Sequence, residues 1–188
     1  MKNIVLIGFM ASGKTEVGKM LAQQLDYKFI DIDDELEKKL NMPIKKIHET
    51  IPLDQINDYE QDIVNNFYIL KNQLIALNMK AVCNDHLMRI LKHNSLVILL
   101  STSLLRSLEL SMKDEETKHK YRLIINGYNR VNHFQKCKKY SVAMRVLTDL
   151  NLLYKQYYDY KINVEDKSIN MIVDNIITLL NNKYHIKY

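Results

Sequence analysis

Glycine is scarce in this chain of 188 residues: there are four, and three of them, Gly8, Gly13 and Gly18, fall within the first 18 positions. Glycine is the residue that turns the backbone through conformations closed to others, so its concentration at the N-terminus marks where such turns are needed. Cysteine is scarcer still. Cys83 and Cys137 stand apart, with no C-x-x-C spacing and no histidine pattern beside them, which argues against a disulfide framework or a zinc site and fits a reducing cytoplasm. The six histidines likewise form no metal spacing. No stretch approaches the ~18 apolar residues of a membrane span. Met1-Lys2 and the apolar residues after it imitate a short signal peptide, but Lys14, Glu16 and Lys19 follow at once. An untargeted cytoplasmic protein is the expectation. Arginine is missing altogether before Arg89.

The length suits one domain, residues 1–188, with a full core. A hydrophobic fraction of 47% and a charged fraction of 26% are those of a globular protein. The net charge of +5 suits a polyanionic ligand such as ATP. The basic residues are scattered among acids, which describes a solvated lysine-rich surface better than a nucleic-acid stripe. The tyrosines at 154, 157, 158 and 160 offer a base-stacking platform on paper, yet core packing explains them more simply.

What the sequence does have is Gly8-Phe9-Met10-Ala11-Ser12-Gly13-Lys14-Thr15, the pattern G-x-x-x-x-G-K-T, after the apolar run Ile4-Val5-Leu6-Ile7. A strand ahead and a helix behind make this pattern a phosphate-binding loop. Gly8 and Gly13 let the chain turn so that the N–H groups of the loop, through Ala11 and Ser12, point at a phosphate chain. Lys14 reaches the β- and γ-phosphates, and the Thr15 hydroxyl is placed to ligate Mg²⁺. The helix that begins near Gly13 aims its positive end at the same anions.

Further along, strands and helices alternate. Strands are predicted at 3–7, 27–32, 80–83, 95–100 and 160–164. Helices are predicted at 14–25, from a cap at Asp33 to Leu40, at 44–49, along the stretch 53–77, at 87–91, 103–110, 142–158 and 169–180. Residues 112–139 are polar and charged apart from Leu123-Ile124-Ile125, and 181–188 read as a frayed tail. No repeat or linker divides the chain. The alternation implies an α/β fold: a parallel five-stranded sheet flanked by helices on both faces, with ligands at the carboxyl ends of its strands. The first and second strand ends are expected side by side, which brings Asp31 and Asp33 to the phosphate loop. One carboxylate then approaches the Mg²⁺ shell and the other an acceptor hydroxyl. The plainer alternative is that Asp33 only caps its helix and Asp31 is solvated.

The segment Ile7-Gly8-Phe9-Met10 to Thr15 with Val17-Gly18-Lys19, then Phe29-Ile30-Asp31-Ile32-Asp33, Leu36-Glu37 and Pro43-Ile44, resembles the opening of a shikimate kinase. Leu153-Tyr154 and Tyr160 to Val164 resemble that family's penultimate helix and last strand. The resemblance implies a P-loop kinase fold using ATP and Mg²⁺, with a mobile lid after the fourth strand, here 112–139. It also implies that Lys14 and Thr15 serve phosphate and metal, that Asp31 sits near Mg²⁺ through water, and that Asp33 holds the acceptor hydroxyl and takes its proton. The departures are specific. The family clamps the substrate carboxylate with arginines, whose planar guanidinium pairs with it through two hydrogen bonds. Here Asn57 stands where the arginine of an F-R-x-x-E stretch belongs, and Leu150 replaces a second one ahead of Leu153-Tyr154. The family's triple-glycine loop after the third strand is gone, with Val82-Cys83-Asn84-Asp85-His86 taken to occupy its place. No R-P-L-L lid motif is present; Lys118, Lys120, Arg122 and Arg130 are the lid cations on offer.

Three functions follow. One is a divergent ATP-dependent small-molecule kinase whose acceptor is not named by the sequence. Another is a nucleotide-binding protein that kept the loop and lost the acceptor site. A nucleic-acid-linked role, suggested only by basicity and tyrosines, ranks last.

Overall fold

The computed structural model describes residues 2–111 and 139–184. Their elements run β1 (Asn3–Gly8), α1 (Lys14–Leu25), β2 (Lys28–Asp31), α2 (Ile32–Leu40), α3 (Ile44–Thr50), α4 (Leu53–Ile69), β3 (Gln73–Ala76), a 3₁₀ turn (Ala81–Cys83), α5 (Asp85–Asn94), β4 (Ser95–Ser101), α6 (Leu104–Ser111), α7 (Lys139–Tyr157), β5 (Tyr160–Asn163) and α8 (Ile169–Tyr184). The candidate lid, apart from Lys139, and residues 185–188 lie outside the described residues. The start of the expected tail is instead the last turn of α8.

The five strands form one parallel sheet in the order β2-β3-β1-β4-β5. Strand side chains alternate between faces, and β1 shows both faces filled. Val5 and Ile7 join a core with Val64 and Phe67 of α4, Leu87 and Leu91 of α5, and Leu147 and Tyr154 of α7. Ile4 and Leu6 join another with Val17 and Leu21 of α1 and Ile172 and Ile176 of α8. Burial on both sides is why the strands read as unbroken apolar runs. A third, smaller core of Leu36, Ile44, Ile47 and Ile56 binds α2, α3 and α4 into a unit beside the sheet.

Two expectations are corrected here. The helical stretch read through residue 77 stops at Ile69, and the third strand is Gln73–Ala76 rather than 80–83, where a 3₁₀ turn stands. In addition, the ends of β1 and β2 are not neighbours, because β3 lies between them. The switch from α4 to β3 is made by two asparagines. Asn72 takes the left-handed conformation, φ 56°, which asparagine tolerates better than most residues. Asn3, buried in β1, donates from Nδ2 to the carbonyls of Phe67 (3.1 Å) and Leu70 (2.8 Å) and accepts from the Gln73 N–H (3.1 Å). One side chain thus takes up carbonyls at the end of α4 and the first N–H of β3. Asn3→Ala leaves these groups buried without a partner and is expected to lower stability by about 3 kcal/mol. A shift of the urea midpoint at unchanged slope measures it, and a cost below about 0.5 kcal/mol contradicts this role.

Candidate active site

The loop between β1 and α1 is built around its glycines. Gly8 has φ 152°, and a Cβ there would lie 2.5 Å from the Leu100 carbonyl oxygen of β4. Gly13, the N-cap of α1, has φ 80° and no side-chain cap, so the first N–H groups of α1 remain available to an anion. Ala11 also has positive φ, 57°. The Ser12 side chain is buried, and its hydroxyl finds no hydrogen-bond partner among the described residues. The Lys14 ammonium donates to the carbonyls of Gly8 (3.0 Å) and Phe9 (2.8 Å). An unmet buried hydroxyl, uncapped helix N–H groups and an ammonium folded onto the loop form a donor set that fits a phosphate chain. Gly18 serves packing instead: a Cβ there would run into the ring of Phe29, so it lets α1 settle on β2.

Tyr154 secures the loop from the other side. Its hydroxyl donates to the Gly8 carbonyl at 3.0 Å, and its ring meets Phe9 edge to face, with centroids 5.2 Å apart. Tyr154 is fully buried, and that burial pushes its phenol pKa well up, so it stays a donor. Core packing was the expectation for this tyrosine; the bond to the loop was not foreseen.

Thr15 and Asp31 meet although β3 separates their strands, because α1 packs across β3 onto β2. The Thr15 hydroxyl donates to Asp31 Oδ2 at 2.7 Å. Asp31 Oδ1 accepts from the Asp33 N–H at 3.1 Å, which makes Asp31, not Asp33, the cap of α2. The helix begins early because Ile32 is pulled fully into the core. Two adjacent hard oxygen ligands suit Mg²⁺, which binds through few protein groups plus phosphate and water. Among the described residues no cluster of three or more His, Cys, Asp or Glu side chains forms a separate metal site.

Asp33 lies in the first turn of α2 and faces the exit of β3. Asn78 Nδ2 donates to Asp33 Oδ1 (3.2 Å) and to Glu60 Oε1 of α4 (2.6 Å). Asn78 Oδ1 accepts from the N–H groups of Lys80 and Ala81 (3.1 and 2.9 Å). Glu60 is only 3% exposed. Its burial pushes the carboxyl up to about 7, Asp33 nearby adds to the rise, and the Asn78 bond and Lys80 oppose it. Burial in turn lowers the Lys80 ammonium, against the pull of Glu60 and Asp33. With β3 at 73–76, the segment after the third strand is Leu77-Asn78-Met79-Lys80, not 82–86, and it too lacks glycine. Cys83 is exposed at the end of the 3₁₀ turn; lost solvation still pushes its thiol up, so it is no ready thiolate. Asn78 escaped sequence reading because the strand that positions it was misplaced, and the role of Glu60, on α4, because its partner Asn78 was not placed. Leu150 is buried in the core, and the lid cations at 118, 120, 122 and 130 lie outside the described residues.

A glycine-rich loop and helix at the end of a central parallel strand, with acids across the sheet edge, define a P-loop phosphotransferase. The shikimate kinase family model matches residues 10–181. A shikimate kinase of Caldicellulosiruptor bescii is 31% identical over 182 residues, 95% of each chain. One of Persephonella marina is 33% identical over 178 residues, 94% of this chain and 98% of that one. Among solved structures, the Acinetobacter baumannii shikimate kinase in complex with shikimate superposes with a TM-score of 0.78 at 26% identity, covering 97% of this chain and 95% of that one. A gluconokinase from Sinorhizobium meliloti shares the fold, with a TM-score of 0.52 at 16% identity over 100% of this chain and 98% of that one. The chain belongs to the shikimate kinase family. No helix among the described residues is long and apolar enough to cross a membrane.

Glu60 makes stability depend on pH. Its carboxyl holds its proton more tightly folded than unfolded, so its stabilising contribution is complete below its ordinary pKa of 4.5 and is lost as pH rises through about 7. At 1.36 kcal/mol per unit the loss is at most about 3 kcal/mol. Glu60→Gln keeps an oxygen for Asn78 but cannot ionise. Urea unfolding between about pH 4.5 and 8 is expected to show the parent losing stability relative to this variant. Parallel curves would contradict the assignment.

Proposed function

We propose that this chain is an ATP-dependent kinase that phosphorylates a hydroxyl of a small molecule, and that shikimate itself is a poor acceptor. What supports the reading is the exit of β3 beside the end of β1, with Asn78 there bonded to Asp33 and Thr15 of α1 bonded to Asp31. ATP with Mg²⁺ would supply the transferable phosphoryl group and much of the charge compensation. The N–H groups of Ala11, Ser12 and Gly13 and the Lys14 ammonium would hold the phosphates, and Thr15 and Asp31 would hold the cation. Asp33 orients the acceptor hydroxyl and takes its proton. Phosphoryl transfer asks for positioning and charge stabilisation more than covalent help from the protein, and these groups supply both. The poor fit of shikimate follows from Asn57 and Leu150 at the family's arginine positions, Leu150 being sealed in the core.

Two measurements test this. Calorimetry should show ATP binding with Mg²⁺, weakened in Lys14→Ala by about 1.5–3 kcal/mol, roughly ten- to a hundredfold in Kd. Absence of binding by the parent chain ends the kinase reading. In a coupled assay, shikimate turnover should fall far below the ~1–100 s⁻¹ usual for kinases, because a carboxylate desolvated without arginine partners regains little. Ordinary turnover would restore shikimate as the acceptor.

A further inference from the structure

The register of β1 with β3 runs from Ile4 to Leu6, and the Leu77 N–H on the Leu6 carbonyl (3.0 Å) closes it. Two residues on, the carbonyl of the buried Gly8 takes two side-chain donors: the Lys14 ammonium and the Tyr154 hydroxyl, each at 3.0 Å. The Phe9 carbonyl is likewise shared, between Lys14 (2.8 Å) and the Ser12 N–H (3.3 Å). Each carbonyl that holds the ammonium therefore has a second donor, and the one on Gly8 is the firmer. Tyr154 is buried in the core with its ring set edge to face against Phe9. Its helix, α7, is fixed on α5 just beyond, where the Tyr157 hydroxyl donates to Asp85 Oδ1 (2.8 Å) and Lys92 reaches the Gln156 carbonyl (3.2 Å). The Lys14 ammonium has three N–H donors, and bonds to β- and γ-phosphates take two of them, so a carbonyl is given up. A buried carbonyl left without a donor costs more than the bond that served it was worth. The phenol removes that cost at Gly8.

We propose that Tyr154 is a positioning residue for the phosphate-binding ammonium: by holding the Gly8 carbonyl, it lets Lys14 leave that carbonyl for the phosphates of ATP without stranding a buried acceptor. This rests on the kinase reading above and adds to the same site a residue some 140 positions away in the chain.

The test is a double-mutant cycle in the whole 188-residue chain, with ATP and Mg²⁺ titrated into the parent, Tyr154→Phe, Lys14→Ala and the double variant. Phenylalanine keeps the ring against Phe9 and removes only the hydroxyl. With Lys14 present, Tyr154→Phe should weaken ATP by about fivefold to tenfold, because binding then strands the Gly8 carbonyl. With Lys14→Ala in place that carbonyl has the same partners before and after binding, so Tyr154→Phe should change the Kd by less than about twofold. A variant that merely loosened the loop would weaken ATP in both backgrounds, and equal weakening in the two overturns the proposal. So does an unchanged Kd in Tyr154→Phe alone; in either case the kinase reading stands, since the parent still binds ATP. Urea unfolding without nucleotide gives a second readout. Either donor alone serves the carbonyl, so the double variant should lose more stability than the two single variants together. Additive losses overturn the sharing of that carbonyl. A parent chain that binds no ATP ends the kinase reading and this proposal with it.

Discussion

The insertion of β3 between β1 and β2 organises the functional edge of this molecule. Adjacent strands lie about 4.8 Å apart, so the ends of β1 and β2 are held about 10 Å from each other. Were β1 and β2 neighbours, the acids would crowd the phosphates with like charge. With β3 between them, α1 must pack across it, and this brings Thr15 within 2.7 Å of Asp31 while Asp33 accepts from Asn78 at the β3 exit. The insertion depends on Asn3, which joins the end of α4 to the start of β3 from within the central strand.

The two sides of the gap are held by different means. On the phosphate side the determinants are mostly backbone: positive φ at Gly8, Ala11 and Gly13, the contact of Gly8 with the Leu100 carbonyl, and a tyrosine that fixes one carbonyl. On the far side they are side chains: a buried carboxyl near neutral pKa, a carboxamide shared by two acids, and a lysine whose charge burial disfavours. Low dielectric makes each of those polar contacts matter more and leaves little tolerance for an unpaired charge.

This division explains what was legible in the sequence. The phosphate loop could be read because its geometry demands particular residue types at a fixed local spacing, and β1 and β4 because a strand buried on both faces is an unbroken apolar run. The third strand was hidden for the same reason: four buried residues show no alternation, and Leu70, Leu74 and Leu77 continue the helical spacing of α4. What ends the helix is Asn3, some seventy residues away in the chain, a contact that no local pattern reports. The cap of α2 was misassigned by two residues: Asp31 accepts from the Asp33 N–H, and the buried Ile32 is already the first residue of the helix. Asn78 was invisible until β3 was placed, since its meaning lies only in what stands on either side of it.

A fold built this way conserves a reaction class more tightly than a substrate. Replacing Gly8 forces a side chain into the Leu100 carbonyl and distorts the loop for every phosphate ligand at once, so change there is costly whatever the acceptor. Polar side chains away from the loop, such as Asn78 with its bonds to Asp33 and Glu60, can change partners without touching the loop. Specificity is a difference between two affinities, and it shifts when a few side chains change partners while the sheet order and the phosphate loop stay put. Similarity to the family over most of the chain therefore reports the strands, helices and loop, and leaves the side chains at the β3 exit room to differ.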